Sequence, residues 1–492
     1  MLDRRLNRRE FVRSGGVALA LPLLTGISTT QSNPLSAARE QARRLVDEGV
    51  PSLSVAVIHR GRPMWVEAFG WADRARRMPA RTTTPYAIAS ATKPFTGLAV
   101  AQLVAADKIG LDAPLENYLN GISIETYGRA QVTVRQALQH RSGIPRHWRN
   151  LFLGQGQPPP FASVARDHAF STAAQDKRYL YANTNYGLLA AAVEAVTKQQ
   201  FHDHLRETVL RPLALTTAAP LRAHFGNWRA AVPYEEDGAQ IPPYLVDEEG
   251  ARDLVMSAFD LARFGLAHLD GRLGEAGVLM LDERAALPAN GVARASYGLG
   301  WIVEEEGPAA LFSYGHTGEG PGAASSLTVV PGEELIVATI ANQQGPAAYV
   351  LNEMIVDAMS PQFAASRKAH PFQEVTADEG ALQALAGRWV GELQTPAGAH
   401  PVAMTLEGAG SRIELREQTS ALTHVRVHNG VLTARADLDV PAPDAQRWPH
   451  QARISLEPSG GDLDGTLAAY ASRGKIAHDQ FWLSYRLRLR RN

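Results

Sequence analysis

Cysteine is absent from all 492 residues of the chain. Disulfides, thiolate zinc sites, iron–sulfur clusters and a cysteine nucleophile are therefore excluded. An excess of charge of one sign is also lacking, because 49 Lys and Arg stand against 50 Asp and Glu. This balance argues against nucleic acid as the main partner. Beyond residue 30 no run of about 18 apolar residues occurs, so the sequence predicts no internal transmembrane helix.

The N-terminus is strongly basic. Five arginines precede Ser14-Gly15-Gly16 and a short apolar run, Val17–Ile27. This order is typical of a secretory signal, and Asn7–Val12 resembles a twin-arginine export motif. We therefore expect residues 1–35 to be a removable signal and the mature protein to be periplasmic or secreted. The alternative is an amphipathic first helix of the folded protein.

Residues 36–362 carry the patterns of a mixed fold. Ser52–His59 and Pro63–Gly70 are β-like runs around a Gly-containing turn, which predicts a strand–turn–strand unit. Helical patterns broken by Pro and Gly dominate from 133 to 268, and β patterns return from 300 to 340. We expect an α/β (α+β) fold in which both ends of this segment build one antiparallel sheet beside a helical subdomain.

The remaining chain differs in composition. Residues 363–380 are polar and mixed, which favours a linker. Residues 381–492 hold short β-like runs separated by Gly-rich turns, which predicts an all-β barrel or sandwich. Within it, Gly387-Arg388-Trp389 resembles the first strand of lipocalin-like barrels, although a plain core tryptophan explains Trp389 equally well.

Ser90-Ala91-Thr92-Lys93 is an S-x-x-K motif at the start of an apolar helical run. A spacing of three residues puts the hydroxyl and the amine on one face of a helix. A serine hydroxyl needs a base to become a nucleophile, and lysine serves as one when its surroundings lower its pKa. The motif alone is weak, because Ser472-Arg473-Gly474-Lys475 also matches it within the β-rich region.

Two further motifs follow the first in order. Tyr181-Ala182-Asn183 is Y-x-N, and His316-Thr317-Gly318 is an H-T-G run. With S-x-x-K they resemble the penicillin-recognising serine hydrolases, which include class C β-lactamases, D-Ala-D-Ala carboxypeptidases, D-aminopeptidases and related esterases. Other stretches share the resemblance, which covers about residues 40–360: Phe69–Asp73, Thr133–Ile144, Ser257–Phe264 and Tyr297–Trp301.

The resemblance implies a role for each motif residue. Ser90 would be acylated, and Lys93 and Tyr181 would share the general-base and general-acid steps, with either one taking the first proton. Asn183 would bind the substrate's amide or ester, and His316, Thr317 and Gly318 would line the site on an edge strand. The backbone N–H groups of Ser90 and Glu319 would form the oxyanion hole. His140 lies in the stretch Thr133–Ile144, and we expect it to have a structural role.

One departure bears on the substrate. Class C β-lactamases carry Lys-Thr-Gly where this chain has His316-Thr317-Gly318, and Glu319 adds a carboxylate beside the expected oxyanion position. A substrate carboxylate would be repelled there unless His316 is protonated or an arginine is near. We therefore expect a serine hydrolase acting on esters, amides or D-amino-acid peptides, with β-lactams as a further class. The alternative is a non-catalytic or weakly catalytic penicillin-binding-like protein that binds cell-wall peptide or another ligand.

Competing motifs are weaker. Gly318-x-Gly320-x-x-Ala323 matches a loose dinucleotide fingerprint, but a strand rather than a helix is predicted after it. His202-x-His204 suggests a metal, yet at that spacing the two rings diverge on a helix that looks exposed. No H-E-x-x-H and no G-x-S-x-G occurs. The sequence thus predicts a small-molecule or peptide substrate, no cofactor and no metal.

Overall fold

The computed structural model describes most of the chain after the predicted signal. The described residues are 34–126, 128, 130–152, 158–224, 229–287, 293–306, 311–369, 378–447, 449–473 and 476–492. The twin-arginine motif and its apolar run lie outside them and stay a prediction. None of the described helices combines the length and the apolar character needed to span a bilayer.

Helices occur mainly before residue 370. They are α1 (Ser36–Asp47), α2 (Lys93–Ala105), α3 (Val134–Leu138), α4 (Phe161–His168), α5 (Asn183–Thr197), α6 (Phe201–Leu205), α7 (Ala258–Leu269), α8 (Gly274–Asp282), α9 (Ala347–Met359), α10 (Pro361–Ala369) and α11 (Glu379–Ala384). A 3-10 turn, Ala89–Thr92, leads directly into α2. Helix α10 occupies part of the segment that the sequence predicts to be a linker.

The strands fall into two ranges of the sequence. The first range contains β1 (Ser52–His59), β2 (Arg62–Asp73), β3 (Met78–Pro79), β4 (Tyr86–Ala87), β5 (Asn150–Phe152), β6 (Ala219–Pro220), β7 (Tyr244–Val246), β8 (Leu254–Met256), β9 (Ala285–Ala286), β10 (Ala293–Tyr297), β11 (Ile302–Glu306), β12 (Leu311–Gly320), β13 (Ala323–Val330) and β14 (Leu335–Ala341). The second contains β15 (Gly387–Thr395), β16 (Gly398–Leu406), β17 (Arg412–Leu415), β18 (Gln418–Ala421), β19 (Thr423–His428), β20 (Val431–Ala436), β21 (Gln451–Ser459), β22 (Asp462–Arg473) and β23 (Ile476–Arg491).

The main sheet joins distant parts of the chain, which confirms the expected fold class. Its strand order is β3-β2-β1-β14-β13-β12-β11-β10-β9, with antiparallel pairing. Leu53 on β1 is opposite Ala341 on β14. Both faces of β1 are covered, because α1 and α9 pack on one side and α7 on the other. This is why even Ser52 and Ser54 are buried.

Helix α2 is buried almost all round rather than along one face. Close packing against the loop before β11 depends on two glycines. A Cβ on Gly97 would lie 2.0 Å from the Leu299 carbonyl oxygen. A Cβ on Gly300 would lie 2.8 Å from the Lys93 carbonyl oxygen. Gly300 also has a φ of +98°, which disfavours other residues. These contacts fix the height of the S-x-x-K motif above the sheet.

The C-terminal strands form a nearly closed, barrel-like antiparallel sheet of order β18-β17-β16-β15-β23-β22-β21-β20-β19. Its interior is a separate apolar core. Trp389 belongs to this core, and its Nε1 donates to the Leu385 carbonyl at 2.9 Å. Trp389 is therefore a core tryptophan, with the Arg491 guanidinium 5.1 Å from its ring centre.

The barrel packs against loops of the first range. Trp148 and Trp482 exchange two backbone hydrogen bonds of 2.9 and 3.0 Å. Ser484 Oγ donates to the Arg146 carbonyl at 2.6 Å. Ion pairs across the same boundary are Arg149–Asp444, Lys177–Glu457, Arg178–Glu457, Arg486–Glu125 and Arg488–Glu125. These contacts fall on the chain between residues 125 and 180, just before Tyr181.

Candidate active site

Ser90 and Lys93 meet at the junction of the 3-10 turn and α2. Lys93 Nζ donates to Ser90 Oγ at 3.3 Å, to Asn183 Oδ1 at 2.8 Å and to the Ala251 carbonyl at 2.9 Å. The lysine is fully buried, whereas Ser90 is partly exposed. Three acceptors thus fix the amine directly behind the serine hydroxyl, and substrate can approach Ser90 from solvent.

The backbone before the nucleophile is strained. Ala89 has a φ of +46°, which costs a residue with a Cβ about 1–3 kcal/mol. Hydrogen bonds on Ile88 hold this turn: Ser325 Oγ donates to its carbonyl at 2.7 Å, and its N–H donates to the Leu254 carbonyl at 3.0 Å. The turn is therefore positioned by β13 and β8 together.

Tyr181 lies beside the same lysine. Its ring centre is 4.5 Å from Lys93 Nζ, which places a positive charge against the aromatic face. Asn183, two residues later, is the first residue of α5 and is buried. The structure thus brings Ser90, Lys93, Tyr181 and Asn183 together.

His140 holds the segment before α5, residues 177–182, which we call the tyrosine loop. It is fully buried, its ring lies 4.2 Å from the ring of Tyr181, and its Nδ1 accepts from the Ala182 N–H at 3.2 Å. Its carbonyl accepts from the Leu180 N–H at 2.8 Å. This placement supports the structural role expected from the sequence.

The H-T-G residues lie in β12, inside the sheet order rather than on an edge strand. The expectation of an edge strand is therefore wrong, although β11 pairs with β12 only up to Gly315. Residues 316–320 extend past β11 and pair with β13 alone among the described strands. The other side of residues 316–320 packs against the 3-10 turn Ala89–Thr92, the nucleophile turn.

His316 is held by two hydrogen bonds. Its Nε2 lies 2.9 Å from the Tyr297 hydroxyl, and its Nδ1 lies 2.5 Å from the Thr317 carbonyl. Both bonds are satisfied by a neutral ring with its proton on Nδ1. Lys93 Nζ contacts the ring of Tyr181, so Lys93 is the amine placed to act on the tyrosine.

Gly318 permits the close approach of β12 to the nucleophile turn. A Cβ there would lie 2.0 Å from the Ile88 carbonyl oxygen and 2.5 Å from Ser325 Oγ. Gly318→Ala must therefore push the turn away from β12, at a cost of about 1–3 kcal/mol. We expect at least a 100-fold loss in the rate of Ser90 acylation, measured with an active-site serine probe.

Gly320 on the same strand provides the matched control. A Cβ at Gly320 would meet nothing closer than 3.7 Å. Gly320→Ala should therefore keep acylation within about twofold of the wild-type rate. Equal rates for the two alanine variants would show that the spacing between β12 and the turn is unimportant.

Glu319 follows H-T-G and remains exposed. Gln344 Nε2 donates to its Oε1 at 2.8 Å. Although Glu319 reaches solvent, protein atoms around its carboxyl group desolvate it and raise its pKa; Gln344 and Arg146 lower this pKa, and Glu236 raises it. The electrostatic neighbours of Glu319 thus include Glu236 as well as Arg146, and the position of its carboxylate beside the oxyanion hole stays a prediction.

A buried polar cluster lies behind this site. Ligand atoms of His147, Asp247 and Glu248 lie within 4.8 Å of one another, which is close enough for a metal ion. However, Arg149 Nε donates to Asp247 Oδ2 at 3.1 Å. Burial opposes ionisation of Asp247, but His147, Arg149 and Arg252 together lower its pKa. Two guanidinium groups would repel a cation, so the cluster is better explained as an ion-pair network.

The His202-x-His204 pair is also structural. Both histidines are buried in α6, so the expectation of an exposed helix is wrong. His202 Nε2 lies 2.7 Å from Asp253 Oδ2, and His204 Nδ1 lies 3.2 Å from Gln199 Oε1. Each ring therefore has its own partner.

Several residues that help to build this site were not predicted from the sequence. Tyr297 bonds His316, Ser325 holds the nucleophile turn, and Ala251 supplies a carbonyl to Lys93. Glu248 accepts from Thr184 Oγ1 at 3.2 Å, and burial raises its pKa well above the usual value. Of these, Tyr297 had a signal, because it opens one of the stretches that carry the family resemblance.

Comparisons with known proteins show which family the chain belongs to. The beta-lactamase family profile matches residues 38–358. The protein flp of Staphylococcus aureus (strain COL) is 26% identical over 195 residues, which are 39% of this chain and 39% of flp. The chain therefore spans about two fifths of the length of that relative.

Two solved structures share the fold. SurE with D-Leu has a TM-score of 0.61 and 22% identity, over 92% of this chain and 99% of that one. The D-amino acid amidase from Ochrobactrum anthropi SV3 complexed with D-phenylalanine has a TM-score of 0.56 and 21% identity, over 67% of this chain and 100% of that one. The family profile covers more than half of the chain, including S-x-x-K, Y-x-N and H-T-G, and this chain therefore belongs to the beta-lactamase family.

Proposed function

We propose that the protein is a serine hydrolase that forms an acyl-enzyme on Ser90. The observation that carries this proposal is the buried Lys93 amine, 3.3 Å from the Ser90 hydroxyl oxygen. Once the amine is neutral and has given up one of its three donated hydrogen bonds, this contact lets it accept the hydroxyl proton as the oxygen attacks. Tyr181, over the same lysine, is the second group able to move that proton.

The reaction proceeds in two steps. Ser90 Oγ bonds to the substrate carbonyl carbon, and the C–N or C–O bond breaks as the leaving amine or alcohol receives the proton. Water then attacks the ester and releases the acid. The backbone N–H groups of Ser90 and Glu319 stabilise the oxyanion in both steps. Asn183, whose Oδ1 is occupied by Lys93, offers its amide NH₂ to the substrate carbonyl.

We further propose amides and esters of D-amino acids as the substrate class. Support comes from the two similar folds, which were solved with D-leucine and D-phenylalanine. Glu319 adds a second argument, because its carboxylate favours a substrate with a free amino group over one with a carboxylate near the scissile bond. The same charge disfavours β-lactams, which carry a carboxylate.

A labelling experiment tests the first proposal. A fluorophosphonate probe should give one adduct, located on Ser90 by peptide mass spectrometry. In a substrate panel, D-amino acid amides and p-nitrophenyl esters should be hydrolysed faster than nitrocefin or D-Ala-D-Ala peptides. An absence of any acyl adduct would favour the non-catalytic penicillin-binding-like alternative, and a nitrocefin rate above the ester rate would overturn the substrate order.

Glu319→Gln tests the role of charge in that order. Removing one negative charge near the scissile bond changes the interaction with a substrate carboxylate by about 1 kcal/mol, or about fivefold. We expect kcat/KM for a D-Ala-D-Ala peptide to rise about fivefold relative to that for D-alanine amide. An unchanged ratio would mean that Glu319 does not face the substrate's charged group. Glu353→Gln is the control, because Glu353 lies in α9 and not in β12, the strand that carries H-T-G.

A further inference from the structure

Glu457 is an outward-facing residue of the barrel that is nevertheless buried. On β21, Ala452, Ile454 and Leu456 belong to the barrel core. Because side chains alternate along a strand, Glu457 points to the outer face. Its exposure is only 6%, since residues from the first range of the chain cover it.

Two cations of the tyrosine loop contact this carboxylate. Lys177 Nζ lies 2.7 Å from Glu457 Oε2, and the Arg178 guanidinium contacts Oε1. The Arg178 side chain is mostly buried, and desolvation lowers its pKa to about 10, so it stays charged at neutral pH. A buried guanidinium requires an anionic partner, and Glu457 supplies it.

The same loop is fixed at its other end. Leu180 and Ala182 both donate to His140, through its carbonyl and its Nδ1. Tyr181 therefore lies between two residues held by His140, and the Glu457 contacts hold the chain at Lys177 and Arg178, just before this pair of hydrogen bonds. Loss of the Glu457 contacts frees the segment that leads into these hydrogen bonds and so loosens the support of the tyrosine beside Lys93.

We propose that Glu457 is a positioning residue for Tyr181, so that the barrel takes part in catalysis by holding the tyrosine over Lys93. This inference rests on the proposed serine hydrolase function. A displacement of about 1 Å in a reacting group can reduce a rate by about 100-fold, so a loosened loop has a measurable effect on turnover. The substrate does not touch Glu457, and binding is affected less than the chemical step.

The test compares two carboxylates that both bridge the same boundary. Glu457→Gln should lower kcat for a p-nitrophenyl ester about tenfold while KM stays within about twofold. Glu457→Asp keeps the charge and should restore part of the loss. Glu125→Gln is the matched control, because its partners Arg486 and Arg488 both retain Asp464. It should leave kcat within about twofold of wild type.

A double-mutant cycle separates positioning from general destabilisation. In a Tyr181→Phe background, Glu457→Gln should cause no further loss, because the group that it positions is already gone. An equal loss in both backgrounds, or equal kcat for Glu457→Gln and Glu125→Gln, would overturn the inference. If Glu457→Gln fails to fold, Lys177→Gln on the exposed side of the pair should give about a threefold loss with the same dependence on Tyr181. Failure of wild-type Ser90 to react with the probe would instead refute the proposed function.

Discussion

Ser90→Ala is expected to lower hydrolysis of every accepted substrate by about 10,000-fold or more and to eliminate acyl-enzyme formation. The alanine lacks the only atom that can bond to the substrate carbonyl at this position, and removal of a serine nucleophile in other hydrolases has effects of this size or larger. Stopped-flow hydrolysis of a p-nitrophenyl ester and intact-mass analysis after probe treatment measure both results. The melting temperature should change little, because Ser90 is partly exposed.

The chain contains its own control for this substitution. Ser472 begins the second S-x-x-K match, whose last two residues lie outside the described part of the chain. Ser472→Ala should retain full activity and full labelling. Residual labelling of the Ser90→Ala protein would mean that another nucleophile, and not this motif, carries the reaction.

Lys93→Met is expected to reduce the rate of Ser90 acylation by about 1,000-fold. Methionine fills the space of the aliphatic stem but cannot hold or move a proton, and general-base catalysis contributes about 100- to 10,000-fold. The substitution also removes the donor to Asn183 Oδ1 and to the Ala251 carbonyl. Leaving buried acceptors without a donor costs about 1–3 kcal/mol each, so the melting temperature should fall as well.

Thr96→Val distinguishes the two effects of the lysine substitution. Thr96 lies on the same helix and donates to the Gly250 carbonyl at 2.6 Å, one residue before the acceptor used by Lys93. The valine variant loses a buried hydrogen bond of the same kind without touching Ser90. It should be destabilised by about 1–3 kcal/mol yet acylate within about threefold of wild type. Acylation losses that track melting temperature in both variants would contradict a direct role for Lys93.

Local patterns were enough to predict which residues the fold brings together around Ser90. S-x-x-K and Y-x-N each lie within one or two turns of backbone, so their internal spacing is set by the helix or loop that contains them. The strand pattern of Ser52–His59 matches β1 residue for residue. A sheet built from both ends of the segment was expected, because strand patterns occur at both ends and helical patterns between them; the pairing of β1 with β14 joins the two ends.

The parts that could not be predicted depend on long-range packing. Tyr297 reaches His316 because β10, β11 and β12 lie side by side, and no pattern within either segment records that contact. The alternation in β21 places Glu457 on the outer face but does not say what covers it. The hydrogen bonds of His316 to Tyr297 and Thr317 likewise depend on packing, so the sequence alone did not predict the partners of this ring.

The pairing of Leu53 with Ala341 has a consequence for synthesis. Strand β1 has to wait for β14 until nearly the whole of residues 36–362 has left the ribosome, because β2 covers only one of its edges. Contacts of such long sequence separation slow folding and leave a hydrophobic strand edge open meanwhile. The nascent chain should therefore depend on a holding chaperone until β14 emerges, whereas the barrel, with its core confined to residues after 384, has no comparable delay.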